Sequence, residues 1–362
     1  MKVLVAPLDW GLGHATRTIP IIEEFLSRSC EVDLAVSGRV AALYKGQFPD
    51  LKQIEIPGYH IRYPSCGLAM PLWLLQNGRR LMRVMAEEEK VAESLVEKNG
   101  YDVIFSDNRF GFRSKNAFSI YMTHQLDIAF PGPFSVFEKL GVVWHARKMS
   151  RFDAVWVPDF AEYPGMAGKL SHVRSAKAEF VGPLSRFAAL HFLNQDWNRK
   201  FRFVAILSGP EPLRSTFEKS LLQAFAKIPG NHAVVRGLPG DSEMPSVPSN
   251  VTFFNHLETP DFARLVLSAE HCISRPGYST VMDMVYLGAD CVFVPTPGQT
   301  EQVYLGKMLH RAQMAGLVSQ RRISPESLLT AVKERRHEWK FSASGNALSF
   351  AMDRLFAKLS HP

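Results

Sequence analysis

The 362 residues are enough for two domains of ordinary size. A composition of 46% hydrophobic and 21% charged residues excludes a largely disordered chain. The net charge of +7 suits an anionic ligand or an acidic membrane surface, but the Lys and Arg residues are scattered, which argues against nucleic acid as a partner.

The cysteines and the apolar segments indicate a reduced protein that does not cross a membrane. The four cysteines lie far apart without metal-ligand spacing, so we expect buried free thiols at Cys30, Cys66, Cys272 and Cys291. The N-terminus does not resemble a signal peptide, and no apolar run approaches the ~20 residues that span a bilayer. These features predict a cytoplasmic protein.

In the first half of the chain, strand patterns alternate with helix patterns. Lys2–Pro7 is an apolar run that predicts a strand, and the Gly-rich turn after it leads into a helix with Ile19, Ile22 and Phe25 on one face. Such alternation is typical of a parallel, doubly wound sheet. Further strands are predicted at 32–37, 54–56, 101–106, 119–123, 154–158 and 179–181, and a long helix at 78–99.

After an irregular polar segment the same pattern begins again. Strands are predicted at 203–207, 232–235, 251–254, 271–274 and 291–295, with helices between them. We therefore predict an α/β protein with two Rossmann-like, doubly wound domains that face a cleft. Residues 1–185 form the first domain, 186–200 a linker and 201–340 the second domain, and a C-terminal helix within 341–362 packs back on the first domain.

The segment 272–309 predicts an anion-binding site. Its first strand is followed by Arg275 and Gly277 and then by a helix that Ser279 and Thr280 can cap and that Gly288 ends. The free N–H groups and the dipole at the start of a helix favour an anion. The two loops of this segment lie at the carboxyl ends of parallel strands, where open α/β sheets bind their ligands.

The turn after the first strand is a second candidate site, and it does not fit a nicotinamide cofactor. Gly11, Gly13 and His14 follow the strand, but Thr16 replaces the third glycine of a dinucleotide motif. The second strand ends in Ser37 rather than in an acid. The side chains of Asp107 and His124 follow two later strands at the same edge of the sheet.

Three motifs resemble those of glycosyltransferase family 28, which has the two-domain GT-B fold and includes the MurG-type N-acetylglucosaminyltransferase. Gly11-Leu12-Gly13-His14 is similar to the family's glycine-rich loop, and Thr123-His124-Gln125 is similar to a short motif of its acceptor domain. The family's donor signature is similar to Ser274-Arg275-Pro276-Gly277 together with Thr280, Asp283, Gly288, Pro295 and Glu301-Gln302. One turn departs from the family, because Ser208-Gly209-Pro210-Glu211-Pro212 contains prolines, which lack backbone donors for a phosphate.

The resemblance implies that the protein transfers a sugar from a nucleotide sugar, most simply a UDP-sugar, to an acceptor hydroxyl with inversion of the anomeric configuration. It also implies that the first domain, 1–185, binds the acceptor and the second, 201–340, the donor. Asp283 is expected to bind the ribose hydroxyls, and Glu301 and Gln302 the hydroxyls of the donor sugar. No metal is expected, since neither predicted cleft loop has an Asp-x-Asp pair. The full predicted donor-binding set is Gly13, Ser208, Gly209, His256, Leu257, Arg275, Gly277, Ser279, Thr280, Asp283, Glu301 and Gln302.

Several catalytic alternatives stay open on the sequence. His14 is the first candidate for the general base, because an ordinary pKa of ~6.5 suits proton removal near neutrality. Asp107 and His124 could take that role or line the acceptor pocket, and Asp9 is a further candidate. Two other functions are a UDP-N-acetylglucosamine 2-epimerase, with Asp9 and Glu211 as its acids, and a non-catalytic nucleotide-sugar binder.

The acceptor is a glycan, a lipid-linked molecule or a small molecule. Residues 68–85 join apolar side chains to Arg79, Arg80 and Arg83. Such a segment can lie on an anionic membrane, which would place the protein at the inner face of the membrane.

Overall fold

The computed structural model describes residues 1–9, 12–58, 70–127, 138–173, 178–190, 197–238, 245–334 and 347–360, with the backbone alone at 39, 70–76 and 138–140. Its contacts divide the chain into two compact units. One unit is Met1–Arg186 with Ala343–Pro362, and the other is Phe187–Ser342.

The first unit contains a seven-stranded sheet in which every neighbouring pair is parallel. Its strand order is β3-β2-β1-β4-β5-β6-β7. The elements are β1 (Lys2–Pro7), α1 (Leu12–Ser27), β2 (Glu31–Val36), α2 (Gly38–Gln47), β3 (Gln53–Glu55), α3 (Met70–Asn99), β4 (Val103–Asp107), β5 (Phe118–Met122), α4 (Glu138–Met149), β6 (Ala154–Val157) and β7 (Ala178–Phe180).

The second unit contains a six-stranded parallel sheet in the order β10-β9-β8-β11-β12-β13. Its elements are β8 (Phe201–Ile206), α5 (Leu213–Phe225), β9 (His232–Val235), β10 (Val251–Phe254), α6 (Thr259–Leu267), β11 (Ala269–Ser274), α7 (Tyr278–Tyr286), β12 (Cys291–Phe293), α8 (Thr300–Arg311), β13 (Gly316–Leu317) and α9 (Pro325–Lys333).

The strand order of each sheet reverses beside its first strand. In the first unit this switch lies between β1 and β4, and in the second between β8 and β11. Ligands of open α/β sheets bind at such switch points, outside the carboxyl ends of the strands. The register aligns Pro7 with Asp107 and Asp107 with Met122, so the ends of β1, β4 and β5 lie side by side.

The last helix, α10 (Ala347–Ser360), belongs to the first unit. Its buried residues Ala351, Met352 and Leu355 join the same hydrophobic core as Ile22 and Phe25 of α1. An ion pair between Arg28 Nη1 and Asp353 Oδ1, 2.6 Å apart, lies at the edge of this contact. The helix that bears His14 is therefore packed between the sheet and α10.

The prediction of an α/β fold with two Rossmann-like sheets is confirmed. The sequence patterns missed α2, α4 and α9, and α3 begins eight residues before the predicted start. Pro71 lies in the first turn of α3, where proline removes no helical hydrogen bond. Cys30, Cys272 and Cys291 are buried free thiols as predicted, and Cys66 lies outside the described residues. No described helix is long and apolar enough to cross a bilayer.

Candidate active site

The first candidate site is a cluster of four side chains at the carboxyl edge of the first sheet. His14 and Arg17 lie on α1 one turn apart, Asp107 is the last residue of β4, and His124 follows β5 by two residues. Because α1 starts at this edge of the sheet, its first turns bring His14 and Arg17 over the ends of β4 and β5. Gly13 is in the first turn of α1, where its carbonyl accepts a hydrogen bond from Thr16 Oγ1 at 3.2 Å. Gly11 lies outside the described residues.

Asp107 is the centre of this cluster. Its Oδ2 lies 3.1 Å from His14 Nδ1 and accepts a hydrogen bond from Arg17 Nε at 2.8 Å. Arg17 Nη2 donates to Asp107 Oδ1 and lies 2.9 Å from His14 Nδ1. Arg17 Nη1 lies 3.1 Å from His124 Nδ1. One guanidinium therefore contacts the carboxylate and both imidazoles.

The three predicted bases, His14, Asp107 and His124, differ in how far they are buried. Asp107 is fully buried and His124 is 5% exposed, whereas the side chain of His14 is 18% exposed. Only His14 in this group of three predicted bases combines solvent access with a carboxylate partner. Asp9 accepts a hydrogen bond from Ser37 Oγ at 3.2 Å. The geometry thus favours His14 as the group that meets a substrate, with Asp107 acting through it.

The pKa values follow from this packing. Burial alone would raise the pKa of Asp107, but the neighbouring Arg17 and His14 lower it to about 2. Burial lowers the pKa of His14, and Arg17 lowers it further against the opposing effect of Asp107. The cluster therefore holds an ionised carboxylate beside a neutral imidazole at neutral pH.

Arg17 is the residue that the sequence reasoning missed. Its signal was available, because residues three apart on a helix lie on the same face, and so His14 and Arg17 had to point the same way. A buried arginine on the face of a helix that packs on a parallel sheet also needs an acid, and Asp107 was already placed at that edge.

The second candidate site lies at the start of α7, in the second unit. Gly277 is the N-cap residue, with φ −72° and ψ 142°, and has no side chain that could make a cap hydrogen bond. The expectation that Ser279 and Thr280 cap it is wrong, because both lie inside the first turn. A Cβ at Gly277 would meet only Thr280 Oγ1, at 3.8 Å. Gly288, with φ +61°, ends the helix as predicted.

Two buried hydroxyls flank the same edge of this sheet. Ser274 Oγ at the end of β11 and Thr296 Oγ1 in the loop after β12 have no hydrogen-bond partner within the described parts of the chain. A Cβ at Gly209, in the loop after β8, would lie 3.7 Å from Thr296 Oγ1. Buried polar groups are nearly always hydrogen-bonded, so each of these hydroxyls keeps an unused capacity to donate a hydrogen bond.

Arg275 does not present its charge to solvent. It is 1% exposed, and its Nη1 donates to the Val294 carbonyl at 2.8 Å and its Nη2 to Gln320 Oε1 at 2.6 Å. The guanidinium also lies over the ring of Phe217, 4.1 Å from its centroid. Burial lowers the pKa of Arg275 to about 10. These contacts make Arg275 a brace for the turn before α7, and its role as a donor-binding residue stays a prediction.

The other predicted donor residues lie around the same sheet edge. Gln302 Oε1 accepts a hydrogen bond from the backbone N–H of Thr296 at 2.8 Å, so this side chain shapes the loop after β12. Glu301 is in the first turn of α8 and Asp283 is half-buried on α7. Ser208 and Gly209 are exposed after β8, and His256 and Leu257 follow β10, with the imidazole of His256 exposed.

Two further features bear on the epimerase alternative and on metal binding. Glu211 is an exposed acid whose Oε1 accepts a hydrogen bond from Arg214 Nε at 2.6 Å, so it is tied to the start of α5. In the part of the chain that the structure describes, no group of three His, Cys, Asp or Glu residues is placed to hold a metal ion.

Comparisons with known proteins agree with this architecture. Residues 241–354 match the model of the glycosyltransferase family 28 C-terminal domain. Two proteins of Methanosarcina acetivorans, each named "Uncharacterized glycosyltransferase", are 23% identical over 357 residues and 21% identical over 354 residues. Both alignments cover 92% of this chain, and they cover 87% and 89% of the two relatives.

Solved structures share the fold across nearly the whole chain. The calicheamicin glycosyltransferase CalG4 has a TM-score of 0.64 at 15% identity, over 99% of this chain and 98% of its own. MurG of Acinetobacter baumannii has a TM-score of 0.61 at 15% identity, over 98% and 99%. The spinosyn rhamnosyltransferase SpnG complexed with thymidine diphosphate has a TM-score of 0.61 at 16% identity, over 99% and 96%. The structures establish the fold, and the family model and the two relatives its class: the chain is a GT-B glycosyltransferase that resembles family 28.

Proposed function

We propose that this protein transfers a sugar from a UDP-sugar to an acceptor hydroxyl with inversion, and that it does so without a metal ion. The observation that supports this proposal most directly is His14. Its side chain is partly exposed, and its Nδ1 lies 3.1 Å from the buried, ionised Asp107. That is the arrangement that a general base acting on a hydroxyl requires.

The reaction is a single displacement. In the tautomer with its proton on Nδ1, His14 donates to Asp107 and keeps a lone pair on Nε2. The acceptor oxygen attacks the anomeric carbon while the bond from that carbon to the diphosphate oxygen breaks. Nε2 takes the hydroxyl proton, and the diphosphate leaves with the electron pair. Attack on the face opposite the leaving group inverts the anomeric configuration.

The donor diphosphate is proposed to bind at the start of α7. Backbone N–H groups at the start of a helix favour an anion, and the helix dipole adds to the effect. The hydroxyls of Ser274 and Thr296 can donate to the same group, and Asp283 can accept from the ribose. Arg275 acts from beneath, by holding the turn. Because SpnG was solved in complex with thymidine diphosphate, thymidine is the alternative to uridine as the nucleoside of the donor.

Nucleotide binding and turnover test the two ends of this proposal separately. UDP should raise the melting temperature more than dTDP, ADP or GDP do, because a ligand of the folded state stabilises it. His14→Ala should lower turnover by about 10²- to 10⁴-fold and change the Kd for UDP by less than about twofold. His310→Ala, in the last turn of α8, is the control and should have wild-type turnover. A product that retains the donor's anomeric configuration would refute the single displacement.

The buried hydroxyls give a second test at the donor end. Ser274→Ala and Thr296→Val together should raise the Kd for UDP by at least about 100-fold, since each lost hydrogen bond to a charged group is worth about 1.5 to 3 kcal/mol. Ser268→Ala is the matched control, because Ser268 is also buried but its Oγ donates to the Leu265 carbonyl at 2.8 Å. Equal UDP affinity in the double variant and the control would place the diphosphate elsewhere.

We also propose contact with an anionic membrane surface, which suits a lipid-linked acceptor. On α3, Met82 is exposed next to Arg79, Arg80 and Arg83, and on α4 the exposed Val143 and Trp144 precede Arg147. Apolar side chains beside basic ones are typical of helices that lie on anionic lipid. The apolar half of the predicted segment, residues 68–76, lies outside the described side chains.

Vesicle sedimentation tests this contact. The protein should bind vesicles that contain phosphatidylserine but not vesicles of pure phosphatidylcholine. The triple variant with Arg79, Arg80 and Arg83 replaced by Glu should no longer bind either kind of vesicle. Arg311, Arg321 and Arg322→Glu, a triple variant at exposed positions of the second unit, is the charge-matched control. Equal binding of both variants would contradict the proposed surface.

A further inference from the structure

We propose that Arg17 is a positioning residue of the transfer reaction, which holds Asp107 in place and sets the tautomer and protonation of His14. This inference rests on the proposed role of His14 as the general base. It concerns a residue that contacts no reacting atom, and so its effect must pass through the imidazole.

The contacts of Arg17 are those of a fixed fork. The side chain is 2% exposed, its Nε and Nη2 donate to the two oxygens of Asp107, and the remaining edge faces the two imidazoles. A planar guanidinium matches a carboxylate in this bidentate way, and an ammonium cannot. Asp107 is thereby held in the orientation that brings its Oδ2 to 3.1 Å from His14 Nδ1.

His14 Nδ1 has two competing neighbours. Asp107 Oδ2 at 3.1 Å requires a proton on Nδ1, whereas Arg17 Nη2 at 2.9 Å requires a lone pair there, because a guanidinium only donates. The first tautomer leaves Nε2 able to accept the hydroxyl proton, and the second has Nε2 already protonated. Arg17 and Asp107 therefore hold the neutral imidazole between a base-competent and a resting tautomer, and an acceptor hydroxyl that donates to Nε2 selects the first.

The charges around His14 explain why both forms are neutral. Arg17 contacts it from α1 and Asp107 from β4, while His124, in the segment after β5, contacts Arg17 and acts on His14 through its charge. Arg17 and Asp107 cancel each other, so a proton added to His14 leaves one uncompensated positive charge in a buried cluster. Burial and Arg17 lower the pKa of His14 in keeping with this count. His14 therefore takes up a proton at a lower pH than an ordinary imidazole does.

The pH dependence of His14 itself is the test. Imidazole ¹⁵N shifts report tautomer and protonation without substrate, and His14→Gln identifies the His14 signals among the 12 histidines. In Arg17→Gln the midpoint of His14 should rise by about one pH unit or more, because Asp107 is no longer neutralised. The acid limb of the kcat/KM profile should move to higher pH by the same amount.

Arg17→Lys separates charge from geometry. It keeps the positive charge, so the His14 midpoint should move by less than half of the change in Arg17→Gln, but the loss of the fork should shift the Nδ1 signal of the neutral ring. If Arg17→Gln does not fold, the Nδ1 shift in Arg17→Lys decides the question alone. Wild-type midpoints and Nδ1 shifts in the folded variants would overturn the inference, since a merely structural arginine would change stability only.

The two proposals fail in different ways. If His14→Ala transfers sugar at the wild-type rate, the proposed general base is wrong, whatever the ¹⁵N shifts show. If His14→Ala is inactive but Arg17→Gln leaves the His14 titration and the acid limb unchanged, the proposed function stands and the role of Arg17 is refuted.

Discussion

Buried histidines make this protein sensitive to acid at the level of single residues. His145 on α4 is 3% exposed, and the rings of Phe110 and Tyr121 contact it edge-on. Burial lowers its pKa from 6.5 to about 4. The pKa values of His14 and His232 are also lowered, in both cases chiefly by burial. At pH 5 the side chain of His145 is therefore neutral in the folded protein and would be charged in the unfolded chain, and the pKa shifts of His14 and His232 have the same direction.

The free energy of unfolding should therefore fall as the pH drops below 6.5. A histidine whose folded pKa is lowered binds fewer protons when folded, so the folded state loses stability from the unfolded pKa down to the folded one. For His145 this window runs from pH 6.5 to about 4 and amounts to about 3 kcal/mol. Urea unfolding at several pH values measures it, and His145→Gln should flatten the profile.

His310→Gln, at a half-buried position on α8, is the control and should change the pH profile less than His145→Gln does. Asp107 acts in a lower window: its stabilising contribution is complete above pH 3.8 and is lost as the pH falls through about 2. A flat free energy of unfolding between pH 6.5 and 4.5 would show that the buried histidines take up protons without cost.

At the scale of elements, the start of α7 brings together helix stability and ligand binding. Gly277 is an N-cap without a side chain, yet its backbone angles suit any residue and a Cβ meets no atom closer than 3.8 Å. The protein itself therefore does not require glycine here. A close approach of a ligand to the backbone is the physical reason that remains for a residue without a side chain.

Gly277→Asp should separate the two effects. An aspartate at the N-cap stabilises α7 by about 0.3 to 1 kcal/mol through its hydrogen bond and the helix dipole, so the melting temperature should rise. The same carboxylate occupies the anion site, so the Kd for UDP should rise by at least about tenfold. Gly277→Ser is the control for capping without charge and should weaken UDP binding less. If both variants bind UDP as the wild type does, α7 is not the diphosphate site.

At the scale of the whole molecule, the end of the chain stabilises the helix near its beginning. Met352 on α10 is fully buried in the core that contains α1, whereas Phe350 on the same helix is 54% exposed. The position of His14 thus depends on a segment more than 300 residues away in the sequence.

Met352→Ala should lower the free energy of unfolding by about 2 to 5 kcal/mol, because it leaves a cavity between α10 and α1. Phe350→Ala should change it by less than about 0.5 kcal/mol. Chemical denaturation monitored on both variants measures the difference. Equal stabilities would mean that α10 adds little to the first unit.

The sequence by itself determined the fold and the positions of both candidate sites in it. Periodic apolar runs predicted nearly every strand, since a strand buried on both faces must be almost wholly apolar. Polar residues at the strand ends then predicted where His14, Asp107 and the start of α7 would lie. Helices α2 and α4 escaped prediction because their apolar faces are poorly marked, as the exposed Val143 and Trp144 of α4 show.

Only the tertiary structure decided what those residues contact. The sequence placed Arg17 on the same helix face as His14, but it could not show that the guanidinium binds both oxygens of Asp107, or that Arg275 turns inward onto Val294 and Gln320. Both outcomes depend on partners that lie far away along the chain. An arginine has the same pattern in the sequence whether it faces a ligand or a buried carboxylate, and packing alone distinguishes the two.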